Sequence, residues 1–362
     1  MLGPGGAREL GRPPRRHLLE ECKVPLPTRE GGCEVGQQIA AGGGDATPVV
    51  EVPGHHRKTH SAQRTLSRLT RHFITGAELS KDELQTLIDR ALELKAAPLS
   101  SDILARRTIA LIFQKPSTRT RVSFEVGIVE LGGHPVVLRT DDLQLSRGET
   151  VRDTALVLSR HVAAVGVRTG PDEFVNELAE YATVPVINML TDGHHPCQAL
   201  ADLLTLREAF GRLEGLTVAY VGDGNNVARS LAIVGATAGV NVRIASPPGF
   251  ELEPVAGAEL FTDAAEAVAG ADAVYTDVWV SMGSPEGDPE RSAALAPYQI
   301  DDALLDLAAP HAVALHCLPA HAGEEITAEV LYGQRERIWD QAENRRHAQK
   351  ALIELLLTRT VG

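Results

Sequence analysis

The chain has 362 residues, 43% hydrophobic but only 4% aromatic, and a net charge of −13 at pH 7. That length suits about two domains of ordinary size, and the excess of acid argues against a general nucleic-acid surface. No apolar run approaches the ~18 residues a membrane-spanning helix needs, so neither nucleic acid nor membrane is expected as a partner. Residues 1–70 carry GPGG, GRPPRR, REGG and AGGGD, chain breakers without a sustained period, and read as a disordered extension. They hold no apolar core of a secretory signal, and Glu9, Glu20, Glu21, Glu30 and Glu34 are too acidic for a transit peptide. Cys22, Cys33, Cys197 and Cys317 lie far apart without metal-ligand spacing, so a reduced cytoplasmic chain without a metal site is expected.

Regular alternation begins at residue 71. ELSKDELQTLIDRALELKA predicts a helix with Ser80 as N-cap and Glu83 three residues on. TIALIF is a short buried strand, and TRTRVSFEVGIVEL a helix ended by Gly132 and Gly133. PVVLR, VAAVGV and PVINML are strands separated by the helices ETVRDTALVLSRH and DEFVNELAEYA. A helix with proline at its first position follows over residues 196–210, and the domain junction is placed just after it. The second unit starts at LTVAYVGDGNNVARSLAIVGATAG and continues with the strands VNVRIA, DAVYTDV and AVALHC. Short apolar strands alternating with helices predict parallel α/β sheets with covered faces. The last helix, over residues 341–357, closes the chain.

The densest chemistry is in LIFQKPSTRTRVSFE, residues 111–125. Ser117, Thr118, Arg119, Thr120 and Arg121 occupy the turn and first turn of a helix behind a strand. Free backbone N–H groups and the positive end of the helix dipole favour an anion there. Hydroxyls and guanidinium forks add geometry that fits phosphate oxygens. The plainer account is a capped helix start with surface arginines. His195 precedes Pro196 at a strand-to-helix turn, where α/β sheets place ligand contacts; an imidazole there can donate to a developing oxyanion. GDGNN, residues 222–226, follows a strand and opens a helix, but lacks the third glycine of a dinucleotide loop. Asn226 is better read as an amide gripping an amino-acid end. Asp277 closes a strand, where a carboxylate can pair with a substrate ammonium; as a bland alternative it is a turn residue. Cys317 is either a small buried apolar residue or a sulfur that accepts from an attacking amine. Adjacent strand residues face opposite ways, so a His316–Cys317 pair is not expected. Arg160 reads from its surroundings as a surface arginine at a helix end.

Four motifs occur in order: STRTR, HHPCQALAD from His194, DVWVSMG from Asp277 and HCLPA from His316. Together they resemble the aspartate/ornithine transcarbamylase family, and DVWVSMG with HCLP is similar to its ornithine-using branch. The resemblance covers about residues 71–360. It implies the transcarbamylase fold: two domains, each a parallel β-sheet flanked by helices, the first over residues 71–205 plus a C-terminal helix (341–360), the second over 206–340. It implies transfer of the carbamoyl group from carbamoyl phosphate to the side-chain amine of L-ornithine, giving L-citrulline and phosphate, in arginine biosynthesis or breakdown, with no cofactor. Carbamoyl phosphate would be held by Ser117, Thr118, Arg119, Thr120, Arg160, His195, Gln198, Leu318 and Arg345. Ornithine would be held by Asn226, Asp277, Ser281, Met282 and Cys317. Arg160, His195, Cys317 and Asp277 would act in the chemistry. A homotrimer or multiple of trimers is implied, with residues 141–150 of one chain closing over its neighbour's phosphate. Two departures stand out: Ala322 replaces a common arginine, and residues 249–263 are short, so a peripheral helix is expected to be missing. The alternatives are a carbamoyltransferase for another amine such as putrescine, a nucleotide-dependent oxidoreductase using GDGNN, and a non-catalytic binding subunit.

Overall fold

The computed structural model describes residues 70–280 and 289–358. The extension expected over residues 1–70 lies outside them except for Thr70.

The first sheet holds β1 (Thr108–Phe113), β2 (His134–Arg139), β3 (Ala164–Arg168) and β4 (Val186–Leu190), in the order β2-β1-β3-β4 with every pairing parallel. Its connections are α1 (Lys81–Ala96) ahead of β1, then α2 (Thr118–Glu130), α3 (Val151–Leu158) and α4 (Asp172–Tyr181). β1 is buried along all but its first residue, as a strand covered on both faces must be. Helix α5 (Pro196–Phe210) leads into the second sheet.

That sheet holds β5 (Thr217–Val221), β6 (Asn241–Ala245), β7 (Ala258–Phe261), β8 (Ala273–Thr276) and β9 (Val313–His316), in the order β7-β6-β5-β8-β9, again all parallel. Its helices are α6 (Asn226–Ala238), α7 (Ala264–Val268), α8 (Pro289–Leu295), α9 (Asp302–Leu305) and α10 (Ala328–Leu331). Residues 249–263 carry no helix, as expected from their length, but do form β7. β7 was not expected because it is a half-exposed edge strand without two-residue alternation.

The closing helix α11 (Ile338–Thr358) packs on α1, α2 and α5. Leu352, Ile353 and Leu356 bury its apolar stripe. Fully buried Lys350 meets Glu130 at 2.7 Å and the Pro98 carbonyl at 2.7 Å, so its charge is paired. No helix among the described residues is long and apolar enough to cross a membrane.

Candidate active site

Each sheet has one point where the strand order reverses. β1 leads outward to β2, and the chain then returns to β3 on the other side of β1. In the second sheet the reversal lies between β5 and β8. Loops beyond the carboxyl ends of such strands diverge and leave a crevice. The two crevices share one cavity of about 190 Å³, lined by the last residue of β3, by residues at or after the carboxyl ends of β1, β4, β5, β8 and β9, and by α11.

The first sheet supplies a cationic wall. Ser117 caps α2, its hydroxyl accepting from the Thr120 N–H at 3.3 Å. The buried Thr120 hydroxyl accepts from Arg345 Nη2 at 2.7 Å and lies 3.4 Å from Arg168 Nη1, so two guanidinium groups converge on it. Burial, with Arg345 and Arg119 nearby, pushes the Arg168 pKa down to about 10. Burial also lowers that of Arg345. The Nε atoms of both arginines have no partner among the described residues. Buried cations that weaken one another are stabilised by an entering anion. His195 is buried in the same wall, and burial together with Arg345 and Arg168 holds its pKa well below the usual histidine value. It is therefore a neutral imidazole. Its backbone N–H donates to Ser230 Oγ on α6 at 2.7 Å, joining the two halves at the cavity. Lys115 stands at the rim, paired with Asp192 at 2.6 Å.

The second sheet supplies an acidic wall. Asp277 accepts from Cys317 Sγ at 2.8 Å and from Asn225 Nδ2 at 2.9 Å. Asn225 also caps α6, its Oδ1 accepting from the Val227 and Ala228 N–H groups. Burial and the Asp277 charge push the Cys317 thiol well above its ordinary pKa, so it stays protonated and donates. Leu318 adopts φ +61°, a conformation costing a bulky residue about 1–3 kcal/mol. Its N–H donates to His316 Nδ1 at 2.8 Å, which leaves the His316 proton on Nε2, facing buried Glu325 at 3.1 Å. Glu325 also accepts from the His321 N–H at 2.5 Å, tying the strand end to the following turn.

Nine expected residues line this cavity: Ser117, Arg119, Thr120, His195, Asn226, Asp277, Cys317, Leu318 and Arg345. Asn226 already donates to the Thr191 carbonyl at 2.6 Å. Thr118 is exposed and lines a neighbouring groove with Arg121 and Val122. Gln198 is buried one layer back, its Oε1 accepting from Arg345 Nη1. Ser281 and Met282 lie outside the described residues.

The expectation for Arg160 is corrected. It is exposed at the amino-terminal edge of the first sheet, beside a groove shared with Arg106, Arg107 and His161. The cavity lies at the other end of β3, roughly 15 Å away at ~3.3 Å per strand residue. The arginine that β3 sends into the cavity, beside Arg119 and Arg345, is its last residue, Arg168. The available signal was an arginine closing an apolar strand, the argument already applied to Asp277. Asn225 was likewise missed, although its asparagine-before-helix position marks a cap. The alternation argument does not reach Cys317, because β9 ends at His316, yet the pair it argued against is not formed: Cys317 donates to Asp277, and the His316 nitrogens meet the Leu318 N–H and Glu325. Ligand atoms of Asp277, His316 and Cys317 lie within 4.8 Å of one another. Both His316 nitrogens are engaged, so a metal there would have to displace existing hydrogen bonds.

The sequence matches two family profiles. Residues 71–208 match "Aspartate/ornithine carbamoyltransferase, carbamoyl-P binding domain", and residues 214–356 match "Aspartate/ornithine carbamoyltransferase, Asp/Orn binding domain". The chain is 50% identical over 309 residues to an ornithine carbamoyltransferase of Parafrankia sp. (strain EAN1pec), covering 81% of this chain and 98% of that one. It is 51% identical over 312 residues to that of Acidothermus cellulolyticus, covering 81% and 99%. Among solved structures, ornithine carbamoyltransferase from Pyrococcus furiosus superposes with a TM-score of 0.76 at 45% identity, over 80% of this chain and 97% of that one. The enzyme from Thermus thermophilus gives 0.72 at 47% identity, over 76% and 96%.

Proposed function

We propose a division of labour in the cavity from one premise: the chain belongs to the aspartate/ornithine carbamoyltransferase family and transfers the carbamoyl group of carbamoyl phosphate to the side-chain amine of L-ornithine, giving L-citrulline and phosphate. The observation that carries the division is the opposition of the two walls. Arg119, Arg168 and Arg345 line the cavity on the side that would receive an anion, and Asp277 lines it on the side that would receive a cation.

Ser117, Arg119, Thr120 and the amino end of α2 hold the phosphate. Arg168, rather than Arg160, joins neutral His195 and Thr120 in donating to the carbamoyl oxygen as negative charge builds on it. The Leu318 carbonyl, with Gln198 behind it, orients the carbamoyl NH₂. Asn226, Asp277, Ser281 and Met282 hold the amino-acid end of ornithine, and Cys317 faces the attacking nitrogen. A free side-chain amine near pKa ~10.4 is charged at neutral pH and must release one proton to solvent before it attacks. The nitrogen then bonds to the carbamoyl carbon, and the carbon–oxygen bond to phosphate breaks. Phosphate leaves with the bonding electrons and takes the surplus proton. Neither metal nor organic cofactor enters these steps.

We assign carbamoyl phosphate to residues 71–205 with the closing helix (341–360), and ornithine to residues 206–340. We further infer a homotrimer or a multiple of trimers. Val122, Val126 and Val129 are 55%, 37% and 60% exposed and recur on one face of α2. Val122, Arg139, Thr140 and Asp141 wall a groove beside Ser117, so a second chain covering that stripe would bring its 141–150 loop to the phosphate. The reading places the protein in cytoplasmic arginine metabolism, where reduced thiols such as Cys317 persist.

The oxidoreductase alternative loses support at GDGNN. The backbone N–H groups of Gly222, Gly224 and Asn225 donate to Ala245, Phe250 and Asp223, whereas a pyrophosphate needs such groups free. The deciding experiment supplies purified protein with carbamoyl phosphate and either L-ornithine or putrescine and measures the carbamoylated product. Citrulline formation dominated by ornithine is expected; faster carbamoylation of putrescine, or binding without turnover, overturns the reading.

A further inference from the structure

Asp202 lies on α5, one turn beyond Gln198, and is wholly buried. Its Oδ1 accepts from Gln198 Nε2 at 2.8 Å, from Gln341 Nε2 on α11 at 2.7 Å and from the Tyr275 hydroxyl on β8 at 3.3 Å. Its Oδ2 has no partner among the described residues. Gln341 is pinned from its other end, where Oε1 accepts the His316 N–H at 2.9 Å. Gln198 is pinned in the same fashion by Arg345 Nη1, and the other terminal nitrogen of Arg345 reaches Thr120. A hydrogen-bonded line therefore runs from the cavity through Arg345 and Gln198 to Asp202.

We propose that Asp202 is a positioning residue for the carbamoyl phosphate site, acting through the Gln198 amide to aim and partly neutralise the Arg345 guanidinium. The proposal rests on the reading that Arg345 holds this substrate. An amide has two unlike ends. A carboxylate on one side and a guanidinium on the other select a single flip of Gln198, with its oxygen toward Arg345. A carboxylate touching Arg345 directly would compete with the substrate for the same N–H groups. An intervening amide transmits the polarisation without occupying the guanidinium with a full negative charge. The buried cation still requires compensation, and Asp202 supplies it at one remove.

The line also predicts a pH response. Burial pushes the Asp202 carboxyl up to about 7, offset in part by the three donors and Arg345. Arg345 from α11, Tyr275 from β8 and Cys317 beyond β9 face it electrostatically. Burial raises the Tyr275 and Cys317 pKa values well above their ordinary values, so both remain neutral through this range. Asp202 thus gains its charge as pH rises through neutrality, and the hold on Arg345 tightens with it.

The test compares wild type with Asp202→Ala, Asp202→Asn and Arg345→Gln, measuring KM for each substrate, kcat, the pH profile of kcat/KM for carbamoyl phosphate, and Tm. Asp202→Ala is expected to raise the carbamoyl phosphate KM by about tenfold or more, with a smaller effect on ornithine. Asp202→Asn keeps an acceptor without the charge; it is expected to raise KM less and to remove the ionisation near pH 7. A folded Asp202→Ala protein with wild-type carbamoyl phosphate KM and profile, beside a damaged Arg345→Gln, overturns the proposal and leaves the site reading intact. An Arg345→Gln protein with unchanged carbamoyl phosphate KM overturns both. If Asp202→Ala does not fold, Asp202→Asn decides alone, and a retained ionisation near pH 7 overturns the proposal.

Discussion

Arg168 enters the cavity from the last position of β3, while Arg160 stands exposed at that strand's other end. Removing a buried charge-assisted donor aimed at a developing oxyanion costs about 10²–10³ in kcat. Arg168→Ala is therefore expected to lose about that much, with Arg160→Ala near wild type. Steady-state kinetics on the pair checks this, and a severe Arg160→Ala defect would overturn the correction. Cys317→Ser is expected to hold the ornithine KM within about threefold while kcat falls about tenfold, because Asp277 remains to bind the charged substrate. The Cys317 thiol is already held protonated by burial and Asp277, so the shape of the pH–rate profile should not change. A wild-type kcat in the variant would reduce Cys317 to a packing residue.

Elements built from local signals match expectation closely. Ser80 and Glu83 form the capping box of α1, and Ser117 caps α2. Glu83 also pairs with Arg71 at 2.7 Å, and this bond is the largest influence holding its carboxyl down to about 2, below its ordinary value of 4.5. Because the folded-state pKa is depressed, the stabilisation is present above pH 4.5 and is lost as pH falls from 4.5 toward 2. Glu83→Ala is expected to cost about 1–2 kcal/mol at pH 7 from the lost cap and partly buried pair. Urea unfolding at pH 7 and again near pH 3 should show the wild-type advantage shrinking; a difference that grows on acidification would contradict the assignment. Elements with weak local signals were not legible. β7 exists because β6 offers it an open edge, and its own half-exposed residues carry no alternation that could announce it.

For the whole molecule, the exposed valines of α2 are the feature that a second chain would explain. Val126→Asp puts a charge in the middle of that stripe. Light scattering is expected to show the wild type as a trimer or a multiple of one, and the variant as a smaller species whose activity falls with its mass. A wild-type protein that is fully active at the mass of one chain would remove both the trimer and the 141–150 loop from the site.

The sequence by itself determined the alternation of strands and helices, the caps, the two parallel sheets and most of the cavity wall. These follow from near-neighbour patterns (burial period, cap chemistry, and polar residues placed where strands end), except that Leu318 and Arg345 entered the wall only through the family resemblance. The tertiary structure decided which of two arginines on either side of one strand reaches the substrate, because direction along β3 matters only once both sheets turn their carboxyl ends to a common cavity. It alone brought Asp202, Gln341, Tyr275 and Arg345 together. Their hydrogen bonds join α5, α11 and β8, and a contact between elements so distant in the chain leaves no periodic trace in any one of them.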